Sequence, residues 1–373
     1  MEIEGLAVAR WVKALLRPID RLQPVGAQVG AGKIIIPNFP IIYCSKNGQE
    51  RNLSMKYISM VCFMVVVIIG STMLVHAPEK EPGQVPDYAK LIRGCWQNDE
   101  DKNSLCRFEA GKCIMFNEGQ LSVARANYEA GKLILRMQGV KIICDIEIKD
   151  NTLMITTTIP VKKTVIWHKL DKVPPELDLN SLHLGKIGDL PTERIKAIQS
   201  ELAKRLELDQ SVRNPEVLKK GMSEKDMEKM AKVDTDNTAY LKKLVSEIGW
   251  INAKRFGSQT ALAAFVIVQH SADIRLMLAV IPFIRQDVDN KLTDAQDYAL
   301  LYDRLQEFLG DKQRYGTQLR EMPNGEYMVS PLENREKVDE FRKELGLEPL
   351  SKYLEGCKKT YGVKDIKIME EED

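Results

Sequence analysis

The sequence predicts an α+β multidomain chain: an N-terminal transmembrane or signal segment, a small antiparallel β-barrel, and then an all-α helical domain. Three observations carry this. An uncharged apolar run of bilayer length occupies Tyr57–His76. Short alternating segments separated by turn residues fill 84–172. Beyond Pro191 the apolar period becomes helical. The 373 residues suffice for two domains, each with its own core. Lys and Arg number 54 against 53 Asp and Glu, a formal charge of +1. That balance creates no field to gather nucleic acid, and no nucleic-acid partner is expected.

Taking the elements in order, residues 1–54 form either a cytoplasmic tail or an extension from a misplaced start, because Met55 begins a complete export signal by itself. Residues 55–77 form a signal anchor or a signal peptide. The apolar stretch from Ile58 to Val75 exceeds the roughly 7–15 residues of a typical signal core, and Pro78 directly after Ala77 hinders cleavage. Basic residues gather ahead of it (Arg10, Lys13, Arg17, Arg21, Lys33, Lys46, Arg51, Lys56), which places the N-terminus in the cytoplasm. The expected location is the cell envelope: anchored in the inner membrane through 57–76 and facing the periplasm, or released to the periplasm if cut near Ala77.

In 84–172, "KLILRMQ" (Lys132–Gln138), "KIICDIEIK" (Lys141–Lys149) and "TLMITTT" (Thr152–Thr158) read as strands, with turns at "NEGQ", "EAGK" and "KDNT". Ile142, Cys144, Ile146 and Ile148 fall on one face, Asp145 and Glu147 on the other. Such spacing predicts a meander that closes, or nearly closes, into a barrel. "LIRGCWQND", "FEAGKC" and "WHKLDK" resemble the lipocalin-like domains of exported planctomycete proteins. The resemblance implies an up-and-down barrel, with room for a small apolar cavity and no particular ligand. Cys95, Cys106, Cys113 and Cys144 all lie here and are candidate disulfide cysteines outside the cytoplasm. Four cysteines allow three pairings, and all three stay open. No C-x-x-C is present, so no metal is predicted.

Residues 173–191, with Pro174, Pro175 and Pro191, are the expected linker. The all-α domain then spans 192–360, before a charged tail at 361–373. Its helices are expected at Thr192–Gln210, at Ser223–Gly249 from a Ser-x-x-Asp capping box to a Gly, through the buried "TALAAFVIVQH", at Asp273–Val288 with a kink at Pro282, at Thr293–Gly310 and at Asn334–Leu347.

The chemistry-bearing residues concentrate in this domain. The apolar run from Ala261 to Val268 ends in Gln269 and His270. Asp234 and Asn237 share a helix stripe with apolar residues, and Arg304 lies on the helix after Thr293. Gln313, Tyr315, Thr317 and Gln318 follow in the loop "GDKQRYGTQ". Buried polar groups need partners, at roughly 1–3 kcal/mol each if left without one. A shared polar pocket is therefore expected, with His270 as the catalytic candidate and Asp234, Asn237, Gln269, Arg304, Gln313, Tyr315, Thr317 and Gln318 as ligand-binding candidates. The bland alternative makes His270 structural, "YGTQ" a turn and Asp303-Arg304 part of a surface ion pair. "DQSVR", "VDTDNTAYLKKLVSEIGW", "VQH", "YALLYDR", "QRYGTQ" and "VDEFRKELGLEPL" occur in order and resemble the bacterial domain of unknown function 6624. The resemblance implies that these positions are what the domain is built around and brings no activity with it. Two functional readings stay open: a hydrolase-like site using His270 as general acid or base, and a non-catalytic binding module for a small polar ligand or envelope partner. No cofactor is predicted. A metal held by His270 with Asp234 or Asp209 lacks H-x-x-x-H spacing.

Overall fold

The computed structural model describes residues 87–370, apart from 138–139, 158–161, 187, 214–222 and 323. The apolar span Tyr57–His76 and the first 54 residues lie outside the described residues. Among the described residues no helix is long and apolar enough to cross a membrane. The chain divides into two compact units. Among the described residues, one holds those up to Ser181 together with Gln306–Asp311, and the other holds Leu182–Leu305 and those from Lys312 onward.

The first unit opens with a short helix α1 (Tyr88–Leu91) and then forms a closed eight-stranded barrel. Its strands are β1 (Gly94–Asn98), β2 (Leu105–Glu109), β3 (Lys112–Asn117), β4 (Gln120–Glu129), β5 (Lys132–Met137), β6 (Val140–Lys149), β7 (Thr152–Thr157) and β8 (Lys163–Leu170). Every neighbour is antiparallel and consecutive, and β8 returns to β1 with Cys95 opposite Leu170. The tight turns explain themselves. Ala110–Gly111, Glu118–Gly119 and Ala130–Gly131 have positive φ at both residues, the geometry that suits the twist of a two-residue hairpin. Alternation places Trp96, Phe108, Leu133, Ile142, Ile146 and Leu153 in one continuous interior core. Trp96, fully buried, also satisfies its indole N–H by donating to the Ile92 carbonyl at 2.8 Å.

The cysteines correct the expectation of disulfides: Cys95, Cys106, Cys113 and Cys144 are all buried free thiols. Cys106 stands opposite Met115 and Cys113 opposite Phe108, so these two are diagonal neighbours, about 7–8 Å apart in such a sheet. Their side chains are nonetheless in contact, with the two free thiols within hydrogen-bonding distance of each other. Cys144 stands opposite Leu133. Cys95 precedes the inward Trp96 and so belongs to the other face of β1. Burial pushes the Cys144 thiol up to about 12 and raises that of Cys106 well above its usual value. Iodoacetamide should therefore leave all four unmodified in the native protein and alkylate them in urea. Labelling without denaturant, read by mass spectrometry, would contradict this burial.

The second unit is mainly helical. Helix α2 (Thr192–Val212) begins directly after Pro191, with Thr192 its first residue. Helix α3 (Glu224–Ile248) carries the expected capping box: the Ser223 hydroxyl accepts from the Asp226 N–H, and the Asp226 carboxylate from the Ser223 N–H. After the short α4 (Ala253–Phe256) comes the central rod α5 (Ser258–His270), packed against α2 and α3. Then follow α6 (Ile274–Asp289), continuous through Pro282, and α7 (Ala295–Phe308).

Beyond α7 the all-α expectation fails. Strands β9 (Leu319–Glu321), β10 (Tyr327–Val329) and β11 (Ile366–Ile368) make a three-stranded sheet with β10 in the centre, antiparallel to β9 and parallel to β11. Helices α8 (Val338–Glu344) and α9 (Leu350–Tyr361) lie between β10 and β11 in sequence. The stretch read as a charged tail thus supplies a strand. Buried Tyr327, Val329, Leu350, Leu354, Cys357 and Ile366 form the core that covers this sheet. Three-residue strands are too short to display a period, which is why the sequence conceals them.

Candidate functional site

At the C-terminal end of α2, Asp209 is fully buried and sits four residues before Arg213, the C-cap. This spacing brings the two side chains together on one helix face. Arg213 Nη1 donates to Asp209 Oδ1 at 2.9 Å. Its Nη2 reaches α3 and donates to both oxygens of Asp234, each at 2.7 Å. The guanidinium thereby joins two carboxylates from two helices. The Gln210 amide donates to Asp209 Oδ2 at 2.8 Å.

The rod α5 delivers His270 to this cluster. Ala263, Ala264, Phe265, Ile267 and Val268 are buried, so packing along the rod sets where its last residue stands. His270 Nδ1 lies 2.9 and 3.0 Å from the two oxygens of Asp209. An ionised carboxylate only accepts, so Nδ1 carries the proton and Nε2 presents its lone pair. The His270 side chain is 14 % exposed, and Nε2 has no hydrogen-bond partner among the described residues.

Burial is the largest influence on His270 and holds its pKa below the ordinary value; Asp209 opposes this, Arg213 adds to it and Asp234 opposes it. Burial likewise raises the Asp234 carboxyl, against the pull of Arg213. A histidine whose folded pKa lies below its unfolded value of about 6.5 binds its proton more readily when unfolded. Its contribution to stability is present above that value and is lost as pH falls through the folded pKa. Asp234 and Asp303 shift the opposite way, so a difference experiment is needed. Wild type should lose stability below about pH 6.5 more steeply than His270→Gln in urea titrations at stepped pH. Parallel curves would contradict the assignment.

Among the described residues, the anticipated side chains of Asn237, Arg304, Gln313 and Gln318 are hydrogen-bonded to groups other than the His270 imidazole. Asn237, one turn from Asp234, accepts from Arg205 Nη1 at 3.1 Å and ties α3 to α2. Arg304 donates through Nη1 to the backbone carbonyl of Gln269. The carboxamide of Gln269 is buried, with neither its oxygen nor its nitrogen hydrogen-bonded.

Gln313, Tyr315, Thr317 and Gln318 build a second network, around Asp303 on α7. Asp303, which the bland alternative placed with Arg304 in a surface ion pair, is fully buried. Its carboxylate accepts from the backbone N–H groups of Arg314 (2.8 Å), Tyr315 (3.0 Å) and Thr317 (2.9 Å) and from the Thr317 hydroxyl (2.8 Å). Burial nevertheless pushes its carboxyl up to about 6. Gln313 donates to the carbonyls of Gln318 and Ser330, and Gln318 to that of Leu300. Buried Arg342 holds the Tyr315 carbonyl at 2.7 Å. The turn needs Gly316: φ is +72°, and a Cβ there would stand 2.7 Å from Leu350. These side chains hold backbone, which is the structural reading of "YGTQ".

Asp209 and Arg213 are the site residues that reading for polar stripes overlooked. Their signal was present in "DQSVR", an acid and a base at i, i+4 where a helix ends. The Arg213 guanidinium fills the space between the two carboxylates that a metal shared by His270, Asp209 and Asp234 would need. Among the described residues no group of His, Cys, Asp and Glu is arranged to hold a metal ion.

No curated protein and no solved structure matched the chain. Residues 196–367, which contain both networks, match the model of a family of unknown function, DUF6624.

Proposed function

We propose that the helical domain carries an acid–base site of hydrolase type, centred on His270 and Asp209. The observation that carries this reading is the pair of contacts from Asp209 to Nδ1, at 2.9 and 3.0 Å, with Nε2 left to act. In this role His270 Nε2 takes a proton from a water molecule as that water attacks, and the imidazolium returns it to the leaving group as the scissile bond breaks. Asp209 holds the ring orientation and stabilises the imidazolium that forms. Arg213 holds Asp209 in place through Nη1, and the lowered His270 pKa keeps the imidazole neutral, in its base form, near pH 7. No hydroxyl or thiol nucleophile among the described residues is hydrogen-bonded to His270, so water is the attacking group. That same observation favours the second reading, a binding module that uses the imidazole only to hold a small polar ligand.

A panel of chromogenic esters, amides and phosphoesters separates the two. Hydrolysis by wild type should fall about 10²–10⁴-fold in His270→Ala. Absence of turnover on every substrate, or turnover unaffected by that substitution, sinks the catalytic reading.

The protein is further proposed to act in the cell envelope, held by 57–76 or released near Ala77, with the lipocalin-like kinship of its barrel in keeping with export. A reporter active only in the periplasm and fused after Asp373 should work. If a cytoplasm-only reporter works there instead, the location is wrong.

A further inference from the structure

We propose that the His270 site takes a ligand group that is uncharged or cationic and donates a hydrogen bond to Nε2, a hydroxyl or an ammonium, rather than an anion. The inference rests on the reading of His270 as the centre of the site and names the chemistry admitted there.

Two observations carry it. The first is directional. Because Nδ1 faces both oxygens of Asp209, the neutral ring has only a lone pair to offer at Nε2. An acceptor needs a donor, and a phosphate dianion or a carboxylate has none.

The second is the local charge. Asp209 and Asp234 bring two negative charges, and Arg213 returns one positive charge. The cluster keeps one net negative charge while the imidazole is neutral. Both terminal nitrogens of that cation are committed: Nη1 to Asp209 and Nη2 to both oxygens of Asp234. The neighbouring cations are engaged too. Lys242 pairs with Asp273 at 2.5 Å, Arg205 binds Glu201 and Asn237, and Arg304 binds the Gln269 carbonyl. Asp209 is 1 % exposed and Asp234 18 %, so water screens their field weakly. An approaching ammonium meets an acceptor and a negative field together, whereas an anion finds no cation among those named above that is not already paired.

The chain has four histidines, so 15N-histidine labelling of the full-length protein gives a simple spectrum, with His270 assigned by its loss in His270→Gln. The free protein reports the tautomer, and each probe is then added: ethylammonium chloride or sodium phosphate. The expected result is an Nδ1-protonated ring whose Nε2 resonance moves with ethylammonium, at concentrations about 10-fold or more below any response to phosphate. Asp234→Asn should weaken the ethylammonium response by about 3–10-fold. A phosphate response at equal or lower concentration, or no response to either probe, overturns the ligand inference. An Nε2-protonated ring in the free protein overturns the acid–base reading as well, so the two failures are told apart.

Discussion

Asp303→Ala is expected to destabilise the helical domain by about 3–5 kcal/mol. The carboxylate receives three backbone N–H groups and one hydroxyl in a fully buried position. Each buried donor left without an acceptor costs roughly 1–3 kcal/mol, and neighbours in one network add less than fully. Alanine also removes what shapes 313–318, so the turn at Gly316 and the contacts of Gln313 and Gln318 loosen together. Asp303→Asn should fall between, because its oxygen still accepts while its amide nitrogen faces donors. Urea denaturation of the three proteins measures this. A loss below about 1 kcal/mol for alanine would show that water replaces the carboxylate, and the network would not be the core of the fold.

Arg213→Ala should cost a similar amount, about 3–5 kcal/mol, for a different reason: it strands two carboxylates. Removing one partner of a buried ion pair leaves a desolvated charge behind. Here Asp209 has Gln210 and His270 in reserve, whereas both oxygens of Asp234 depend on Arg213. Adding Asp234→Asn should therefore restore part of the lost stability, and a double-mutant cycle reads the coupling. Arg213→Lys should rescue poorly, since one ammonium cannot reproduce two contacts to Asp234 together with one to Asp209. Loss of the guanidinium also removes a charge that lowers the His270 pKa, so the imidazole should protonate at higher pH in Arg213→Ala. Additive costs and an unchanged His270 titration would separate Arg213 from the site.

The difference between what could and could not be read in advance follows contact range. Strands Lys132–Met137, Val140–Lys149 and Thr152–Thr157 were legible because a barrel strand writes its period into consecutive residues. Ser223 and Asp226 were legible because a capping box closes within four residues. The strand at Ile366–Ile368 was not, because its partner Tyr327–Val329 lies nearly forty residues away and three residues carry no period. Cys106 and Cys113 suggested a bond by their compartment, and only the strand register showed that they are neighbours, as free thiols on diagonal positions of β2 and β3.

For the site, the sequence by itself determined that a buried rod ends in His270 and that a polar stripe containing Asp234 runs along the second long helix. It also determined that Gln313 to Gln318 form a polar turn. Tertiary structure alone decided which of these meet. Asp209 on α2, Asp234 on α3 and His270 on α5 converge because three helices end or pass at one place, and Arg213 bridges 21 residues to reach Asp234. The same packing turned Asp303 inward, where it collects the loop's N–H groups and removes Gln313, Tyr315, Thr317 and Gln318 from the histidine's company. Hydrogen bonds act over about 3 Å in space and are blind to separation along the chain. A polar residue's type is therefore a property of sequence, and its partner a property of packing.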